Sequence, residues 1–258
     1  MDKKEETKKL IVMSILAGKI MLQNGAETYR VEDTIVRLCE ARGIKYVHSF
    51  VTPTGIFLSV EHNNELFSYI KRVKSIKIDL EKIALVNDFS RKFVNSNMTV
   101  QEGMDYLNEI TTKKAFSKYL RYIFGGFAAA FFSLLFGGNL LDFVSSYFAG
   151  FIVLTALDKL SKYNVTFFVK NVIGSIIVTI IAIIFSHIFI KTNIDKIIIG
   201  SIMPLVPGVA ITNAIRDSIS GDFLAGVSRG IEAIIIALGI AFGVGITLKT
   251  YILFFGGI

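Results

Sequence analysis

Hydrophobic positions follow two different patterns along this chain, and the change comes near Tyr119. Before that residue apolar positions recur at helical or strand spacing, and after it they run almost continuously. A helix needs roughly 20 mostly apolar residues to cross about 30 Å of hydrocarbon. The second pattern predicts five membrane spans, near residues 120–136, 140–157, 166–190, 197–215 and 223–248.

The first pattern predicts a soluble domain that contains both helices and strands. Helices are expected near residues 5–24, 26–42 and 79–95, and Thr99 with Glu102 forms a capping box that opens a fourth. Turn residues at 53–55 and 63–64 separate strands expected at 45–52, 56–61 and 66–73. We therefore predict an α-helical integral membrane protein with an N-terminal α+β soluble domain, divided into residues 1–117 and 118–258.

The fourth span contains a feature that should break its helix. Its sequence reads Met203-Pro204-Leu205-Val206-Pro207-Gly208, and proline removes a backbone donor and clashes with the preceding turn. Broken backbone at membrane depth is tolerated only where protein buries it or where it lines a water-filled cavity. Transporters use such breaks to bind substrates and ions, so Pro204, Pro207 and Gly208 are candidates for a transport pathway.

The first two predicted spans are near the short limit, and little more than Gly137-Gly138-Asn139 separates them. A re-entrant pair of helices is therefore an alternative to two full spans. Pairs of small residues four positions apart, such as Gly126 and Ala130, predict helices that pack closely.

The charges divide the chain in the same way and indicate its orientation. Residues 1–121 hold 20 of the 28 Lys and Arg and 15 of the 21 Asp and Glu. The net charge of +7 does not indicate nucleic-acid binding, because the basic residues precede or separate the spans, where they suit an anionic leaflet.

With the N-terminus inside, nine basic residues flank the spans on the inner side and three on the outer side: Lys113, Lys114, Lys118, Arg121, Lys159, Lys162, Lys170, Arg216 and Arg229 against Lys191, Lys196 and Lys249. This bias predicts a cytoplasmic N-terminal domain in the inner or plasma membrane.

Glu232 is the most informative polar residue of the predicted spans. It lies about 15 Å along the last span, and Pro207 lies at a similar depth in the antiparallel fourth span. Carboxylates inside a membrane are costly and usually mark an ion or substrate pathway. The alternative is that Glu232 pairs with Arg229, three residues earlier on the same face.

Two further groups of polar residues lie at the ends of the spans. The first group lies where the fourth span ends and consists of Asn213, Arg216, Asp217 and Asp222. These residues form either an inner gate or a solvated turn. Asp142 and His187 lie toward the outer ends of the second and third spans. They are candidates for a proton relay, with an interfacial histidine as the alternative.

The soluble domain offers candidates without a recognisable catalytic pattern. Glu27, Arg30, Asp33 and Arg37 fall three to four residues apart on one helix face, an arrangement typical of a solvated face. The remaining candidates for a site there are Thr28, Glu32 and Thr54. No nucleotide-binding motif, metal-ligand spacing or Ser-His-Asp spacing is readable, so we expect no cofactor, no metal and no enzymatic activity.

Several segments together resemble the threonine/serine exporter family. The resemblance covers about residues 8 to 250 and rests on residues 23–34, the Pro53-Thr54-Gly55 turn, residues 203–208, residues 213–217, and Gly221-Asp222 running on to Glu232. It implies export of threonine and serine driven by the proton gradient. It also implies ten spans in long members, and a larger and a short all-membrane subunit in split members, some of which are associated with succinate export. With five spans, this chain resembles the larger subunit of a split pair, which would need a short membrane partner.

Three hypotheses follow from these patterns. The first is a subunit of a proton-coupled exporter of small polar metabolites, with Glu232 as the coupling residue and threonine or serine, or alternatively a dicarboxylate, as substrate. The second is a membrane-anchored, hydrolase-like enzyme that uses Glu27, Glu32 and Asp33. The third assigns the soluble domain to docking or regulation in a higher oligomer, and it is compatible with the first.

Overall fold

The computed structural model describes residues 3–74, 76–113, 116–163 and 165–256, and these are mostly helical with one small sheet. Packing divides the chain into two units. The first contains Met1–Ala115 and Val209–Ile231, and the second contains Phe116–Gly208 and Glu232–Ile258. The predicted division at residue 117 stays a prediction, and it did not include the return of residues 209–231 to the N-terminal part. Lys114, counted above among the inner basic residues, lies outside the described residues.

Four helices near the N-terminus form most of the first unit. They are α1 (Lys3–Gln23), α2 (Thr28–Glu40), α3 (Leu80–Val94) and α4 (Val100–Thr112). Each agrees with a predicted helix to within a few residues, and the predicted capping box between Thr99 and Glu102 is present at the start of α4. Gly25, between α1 and α2, has a φ of +91°, a conformation that residues with a side chain rarely adopt.

A three-stranded antiparallel sheet completes this part of the first unit. Its strands are β1 (Tyr46–Thr52), β2 (Gly55–His62) and β3 (Glu65–Arg72), in the order β1-β2-β3. Asn63 and Asn64 both have positive φ angles in the turn between β2 and β3, as the turn prediction requires. One face of the sheet packs with the four helices around a single hydrophobic core.

Six further helices follow. They are α5 (Lys118–Leu135), α6 (Leu140–Leu160), α7 (Phe167–Ile188), α8 (Ile194–Ile202), α9 (Gly208–Ile219) and α10 (Phe223–Phe255). The predicted break in the fourth span is confirmed. A 3-10 helix, Met203–Leu205, follows α8, Val206 is extended, and α9 begins at Gly208.

Three of these helices, α6, α7 and α10, are long enough and apolar enough to cross a membrane. A fourth span results if the helices on either side of the break are counted as one. The 18 residues of α5 begin with Lys118 and include Arg121, so α5 is shorter and more polar than the three. The predicted number of five spans therefore stays a prediction.

Close helix packing in the second unit depends on small residues, as their spacing predicted. A Cβ atom on Gly126 of α5 would lie 2.9 Å from the backbone oxygen of Tyr147 in α6. A Cβ atom on Gly200 of α8 would lie 2.7 Å from the backbone oxygen of Ala129 in α5. These helices approach so closely that their backbones leave no room for a side chain at either position.

Candidate substrate and ion site

The candidate site lies in the first unit, where α9 and the start of α10 contact the connection between α1 and α2. This α1–α2 connection is defined as residues 25–28, the last of which begins α2. Polar side chains from later in the chain form hydrogen bonds with successive backbone groups of this segment. The Asn213 side-chain amide donates to the Gly25 carbonyl at 2.8 Å, and the Arg229 guanidinium donates to the Ala26 carbonyl at 2.7 Å. Asp217 accepts from the Thr28 backbone N–H at 3.0 Å. Residues far along the chain thus form the hydrogen bonds that the backbone groups of this turn need. The side chains of the turn itself do not form them.

Asp217 completes the N-terminus of α2. The first backbone N–H groups of a helix lack partners within the helix, and a side-chain oxygen usually accepts from them. Glu27 occupies the N-cap position but forms no side-chain cap hydrogen bond. The Asp217 carboxylate replaces that cap, and its negative charge also suits the positive end of the helix dipole.

Two ion-paired carboxylates are buried in this site. Asp217 Oδ2 lies 3.2 Å from Arg229 Nε, with both side chains almost fully buried. Glu27 contacts both Arg216 and Arg30, the latter at 3.2 Å between Nη1 and Oε2. The Glu27 side chain is 5% exposed, whereas that of Arg216 is 61% exposed. Arg216 therefore reaches from the solvent to a carboxylate inside the protein.

The surroundings of Glu27 favour its ionised form. Burial alone would raise the pKa of this carboxyl group, but its own backbone N–H, Arg216 and Arg30 together hold the pKa below its ordinary value. Glu32, one turn further along α2, shows the opposite balance. Its burial raises the pKa, the charges of Asp222 and Asp217 add to that effect, and a 2.7 Å hydrogen bond from the Val51 backbone N–H opposes it.

Thr28 joins two carboxylates in the same place. Its hydroxyl lies 2.9 Å from Asp217 Oδ1 and 3.1 Å from Asp222 Oδ2. Thr28 is fully buried and Asp222 is partly buried. The site thus combines carboxylates, guanidinium groups, a hydroxyl and an amide.

The structure brings most of the predicted soluble-domain candidates into this site, with two exceptions. Glu27, Thr28 and Arg30 lie within it, and Glu32 lies beside it. Asp33 is exposed and pairs with Arg37, while Thr54 is exposed in the turn before β2. The charge ladder on α2 is therefore solvated only in its second half, because Arg216 and α9 cover Glu27.

Two of the predicted gate residues form ion pairs with residues outside their own group. Arg216 pairs with Glu27, and Asp217 pairs with Arg229. Arg229 contacts Asp217 and the Ala26 carbonyl, and Glu232 is exposed on α10. Glu232, Pro204, Pro207 and Gly208 belong to the second unit, so their place in a pathway stays a prediction.

The two residues predicted to relay protons lie in the second unit and have local partners. Asp142 is fully buried at the start of α6. It accepts from the backbone N–H groups of Asn139 and Asn193 and from the Asn193 side-chain amide, all within 2.9 Å. This pattern fixes the loop before α8 to the start of α6. His187 is exposed and lies 2.6 Å from the Tyr251 hydroxyl.

The enzyme hypothesis receives no geometric support. Glu27, Glu32 and Asp33 are each engaged, by Arg216 with Arg30, by the Val51 N–H and by Arg37 respectively. Within residues 3–74, 76–113, 116–163 and 165–256, no three His, Cys, Asp or Glu side chains are arranged to hold a metal ion.

Sequence reasoning named most of these residues but did not join them. It treated the polar residues of α2 and those around α9 as separate groups, and it considered Arg229 only as an alternative partner of Glu232. One signal was available: within 17 positions, between two long apolar stretches, the chain has five charged or amide side chains, those of Asn213, Arg216, Asp217, Asp222 and Arg229. Charged residues at such spacing need buried partners, and the mostly apolar neighbouring spans offer few.

Several long apolar helices, a helix broken at two prolines and a buried cluster of paired charges together define a multi-pass membrane protein of the transporter class. The ThrE threonine/serine exporter family model matches residues 13–251. The chain belongs to this family.

Individual relatives are distant, and they differ in length. A protein of Mycobacterium tuberculosis named "Probable threonine/serine exporter" is 20% identical over 94% of this chain and 46% of its own length. The threonine/serine exporter of Corynebacterium glutamicum is 21% identical over 92% of this chain and 51% of its own length. The "Probable succinate transporter subunit YjjP" of Klebsiella aerogenes is 22% identical over 93% of both chains.

The chain thus spans about half the length of the two exporters and nearly all of the transporter subunit. No solved structure is significantly similar to it.

Proposed function

We propose that this chain is a subunit of a secondary exporter that moves small polar metabolites, threonine or serine first, out of the cytoplasm through the inner or plasma membrane. The N-terminal domain then faces the cytoplasm. The observation that carries the proposal is the buried set of carboxylates and guanidinium groups around Thr28 and Asn213. An amino acid carries one ammonium and one carboxylate group, and this set offers a partner for each.

Partner exchange explains how a charged substrate could be desolvated. Removing a charge from water costs several kcal/mol unless a partner replaces the water. Glu27 and Arg216 are paired, and Arg216 is largely exposed. A substrate ammonium would take the place of Arg216 at Glu27, while Arg216 turns to the substrate carboxylate. Asn213 and Thr28 would select for the hydroxyl of threonine or serine.

The broken span and Glu232 complete the proposed pathway. Backbone at the 203–208 break can offer carbonyls and the N-terminus of α9, groups that transporters use for ions and substrate carboxylates. Glu232, exposed on an apolar helix, is proposed to couple export to proton movement.

A second chain is proposed to cover the exposed faces of this one. The two exporters are about twice as long as this chain, and the relative that it matches along its whole length is named a subunit. We therefore propose a short all-membrane partner, with a higher oligomer of such pairs as the assembled transporter.

The test is efflux of preloaded threonine from vesicles across an imposed pH gradient. Vesicles would contain this chain, the candidate short partner, or both, and we expect gradient-dependent efflux only with both. Glu232→Gln should abolish gradient-dependent efflux while the protein still inserts. Exchange of Lys249 for Gln, in the same helix near its end, is the matched control. Unchanged efflux with Glu232→Gln would refute the role of this residue.

A dicarboxylate is the second candidate substrate, and the subunit of matching length named for succinate favours it. Two guanidinium groups, those of Arg216 and Arg229, could bind two carboxylates. The same vesicles loaded with labelled succinate separate the two substrates. Succinate efflux without threonine efflux would replace the amino-acid assignment.

A further inference from the structure

The sheet of the first unit has an edge strand that is open on its outer side. In the order β1-β2-β3, both β1 and β3 lie at an edge. At β1, the Glu32 side chain accepts from the Val51 N–H at 2.7 Å and so occupies part of that edge. Among the described residues, β3 pairs with β2 on one side and with no strand on the other. An unpaired edge of this kind is a template for a further strand.

Three residues of β3 direct their backbone groups to this open edge. The Val73 N–H, directly after β3, donates to the Thr54 carbonyl on the β2 side at 2.9 Å. Successive residues of an antiparallel strand alternate between pointing toward the neighbouring strand and pointing away from it. Leu66, Ser68 and Ile70 lie at odd distances from Val73, so their N–H and C=O groups point away from β2.

The strand β3 lacks the usual protection of an edge. Exposed edge strands are commonly very short, bulged, or interrupted by proline or lysine. β3 has eight residues, each of which pairs with one residue of β2, and its charged residues lie only at its ends. Leu66 and Ile70 between those ends are 71% and 74% exposed. An edge of this length and exposure is expected to be covered in the assembled protein.

The sequence of β3 is complementary to itself in one antiparallel register. When a two-fold axis relates two copies of an edge strand, residues from the same face of the sheet lie opposite each other. With Ser68 opposite Ser68 of the second copy, charged residues face opposite charges, aliphatic residues face aliphatic ones and aromatic residues face aromatic ones. The pairs are Glu65 with Lys71, Leu66 with Ile70, and Phe67 with Tyr69.

The neighbouring registers lose these matches. A two-fold axis at residue 69 would put Leu66 opposite Arg72, and an axis at residue 67 would put Glu65 opposite Tyr69. An axis between two residues would bring side chains from opposite faces of the sheet together, which the pleat does not allow. Opposite charges and apolar pairs therefore select the register centred on Ser68.

We propose that β3 pairs with β3 of a second copy of this chain, antiparallel and with Ser68 on the two-fold axis, so that the two sheets become one continuous sheet. Glu65 contacts Lys4 at 2.8 Å through Oε1 and is 45% exposed, so its carboxylate can also meet Lys71 of the second copy. The pairing goes beyond the proposed export function and does not depend on it. It gives the proposed higher oligomer a defined contact between copies.

Disulfide cross-linking across the axis tests the pairing. Ser68→Cys would be introduced into the full chain, and isolated membranes would be oxidised before electrophoresis without reductant. Residues opposite each other in a hydrogen-bonded pair have Cα atoms about 5.5 Å apart, within the range for a disulfide. We therefore expect a covalent dimer. His48→Cys is the matched control, because it lies in the same row of the sheet but on β1, and it should stay monomeric. Native Cys39 is buried and common to both proteins.

Charge reversal tests the register. Lys71→Glu places Glu65 opposite a second carboxylate at both ends of the pairing, which should reduce the dimer formed by Ser68→Cys about tenfold. Glu65→Lys combined with Lys71→Glu restores opposite charges and should restore the dimer. That recovery also distinguishes a lost contact from a misfolded domain. Lys45→Glu, exposed just before β1, should leave the dimer unchanged.

The outcomes for the pairing and for export are separable, because cross-linking uses neither substrate nor a pH gradient. A dimer no more abundant with Ser68→Cys than with His48→Cys would overturn the pairing. A dimer that Lys71→Glu does not reduce, or that the double exchange does not restore, would overturn the register. A dimer without efflux of any substrate would refute export and support the pairing, and efflux without the dimer would do the reverse.

Discussion

Asp217 and Arg229 show how a residue's role depends on what buries it. Both side chains are almost completely inaccessible, and each has a further contact with the α1–α2 connection. Removal of one member of a buried ion pair leaves an uncompensated charge, which is far more harmful than the loss of an exposed pair.

The first prediction concerns this pair. Arg229→Leu should destabilise the protein by about 3–5 kcal/mol, because Asp217 then stays buried without its cation. Thermal unfolding in detergent measures the effect, and Asp217→Leu combined with Arg229→Leu should recover much of the loss. Arg37→Leu breaks the exposed pair with Asp33 and should change stability by less than about 1 kcal/mol. Equal effects of Arg229→Leu and Arg37→Leu would contradict the buried geometry.

The second prediction uses the lowered pKa of Glu27. Because folding lowers this pKa below its ordinary value of 4.5, ionised Glu27 stabilises the folded state above that pH. The contribution disappears as the pH falls through the lowered, folded-state pKa. Glu27→Gln should therefore be less stable than the wild type at pH 7, with a difference that shrinks in acid. Glu40→Gln, at the exposed end of α2, is the control. A difference that grows on acidification would reverse the assigned shift.

At this scale the sequence identified residue types better than it identified partners. Glu27, Thr28, Asn213, Arg216 and Asp217 were all named as candidates. The contacts that Asp217 and Arg216 make with α2 and its N-cap join positions 189 residues apart, and neither helical nor strand spacing contains such information. Spacing offered Glu232, three positions away, as an alternative partner for Arg229, and it could not predict the contact of Arg229 with Asp217.

The helices and strands resemble those predicted from the sequence, because the residues that start and end each element lie close to it in the chain. The capping box at Thr99, the asparagine turn at 63–64 and the two prolines of the fourth span each act within a short stretch of chain. Strand and helix boundaries therefore agree with the predicted ones to within about four positions, except that α10 continues to Phe255, seven positions beyond its predicted end. Local sequence does not decide whether α5 spans a membrane, because Lys118 and Arg121 can lie inside or outside the bilayer.

The third prediction tests the close contact between α5 and α8. Gly200→Ala places a Cβ atom 2.7 Å from the Ala129 backbone oxygen and 2.8 Å from the Ser133 backbone nitrogen, so one helix must move. Such overpacking typically costs about 1–3 kcal/mol. Gly245→Ala, where nothing lies within 4 Å of the new atom, should not destabilise. The two apparent unfolding temperatures, compared in the same detergent, measure the difference, and equal values would contradict this packing.

For the whole molecule, the sequence predicted an N-terminal α+β part and a helical part rich in apolar residues. It did not predict that residues 209–231 pack with the N-terminal part. That grouping depends on the polar side chains of α9 and on the uncapped start of α2, and both features are visible only once the helices are in place.

The fourth prediction tests the orientation. Lys191→Cys, after α7, should react with a membrane-impermeant maleimide on intact cells, and Lys159→Cys, at the end of α6, only after permeabilisation. Native Cys39 gives little background, because burial raises its pKa to about 11 and a thiol reacts as its thiolate. Cys39→Ser provides the check. Reaction of both introduced cysteines from one side would mean that α7 does not cross the membrane.

The cap that Asp217 provides for α2 also affects how the protein is made. The ribosome adds about 5–20 residues per second, so Asp217 is synthesised roughly 10–40 s after Thr28, 189 residues earlier. During that interval the start of α2 has no cap, and the Ala26 carbonyl lacks Arg229. This N-terminal domain thus leaves the ribosome well before the residues that complete it. A nascent chain stalled before residue 208 should expose the α1–α2 connection to proteases that cannot cut it in the finished protein.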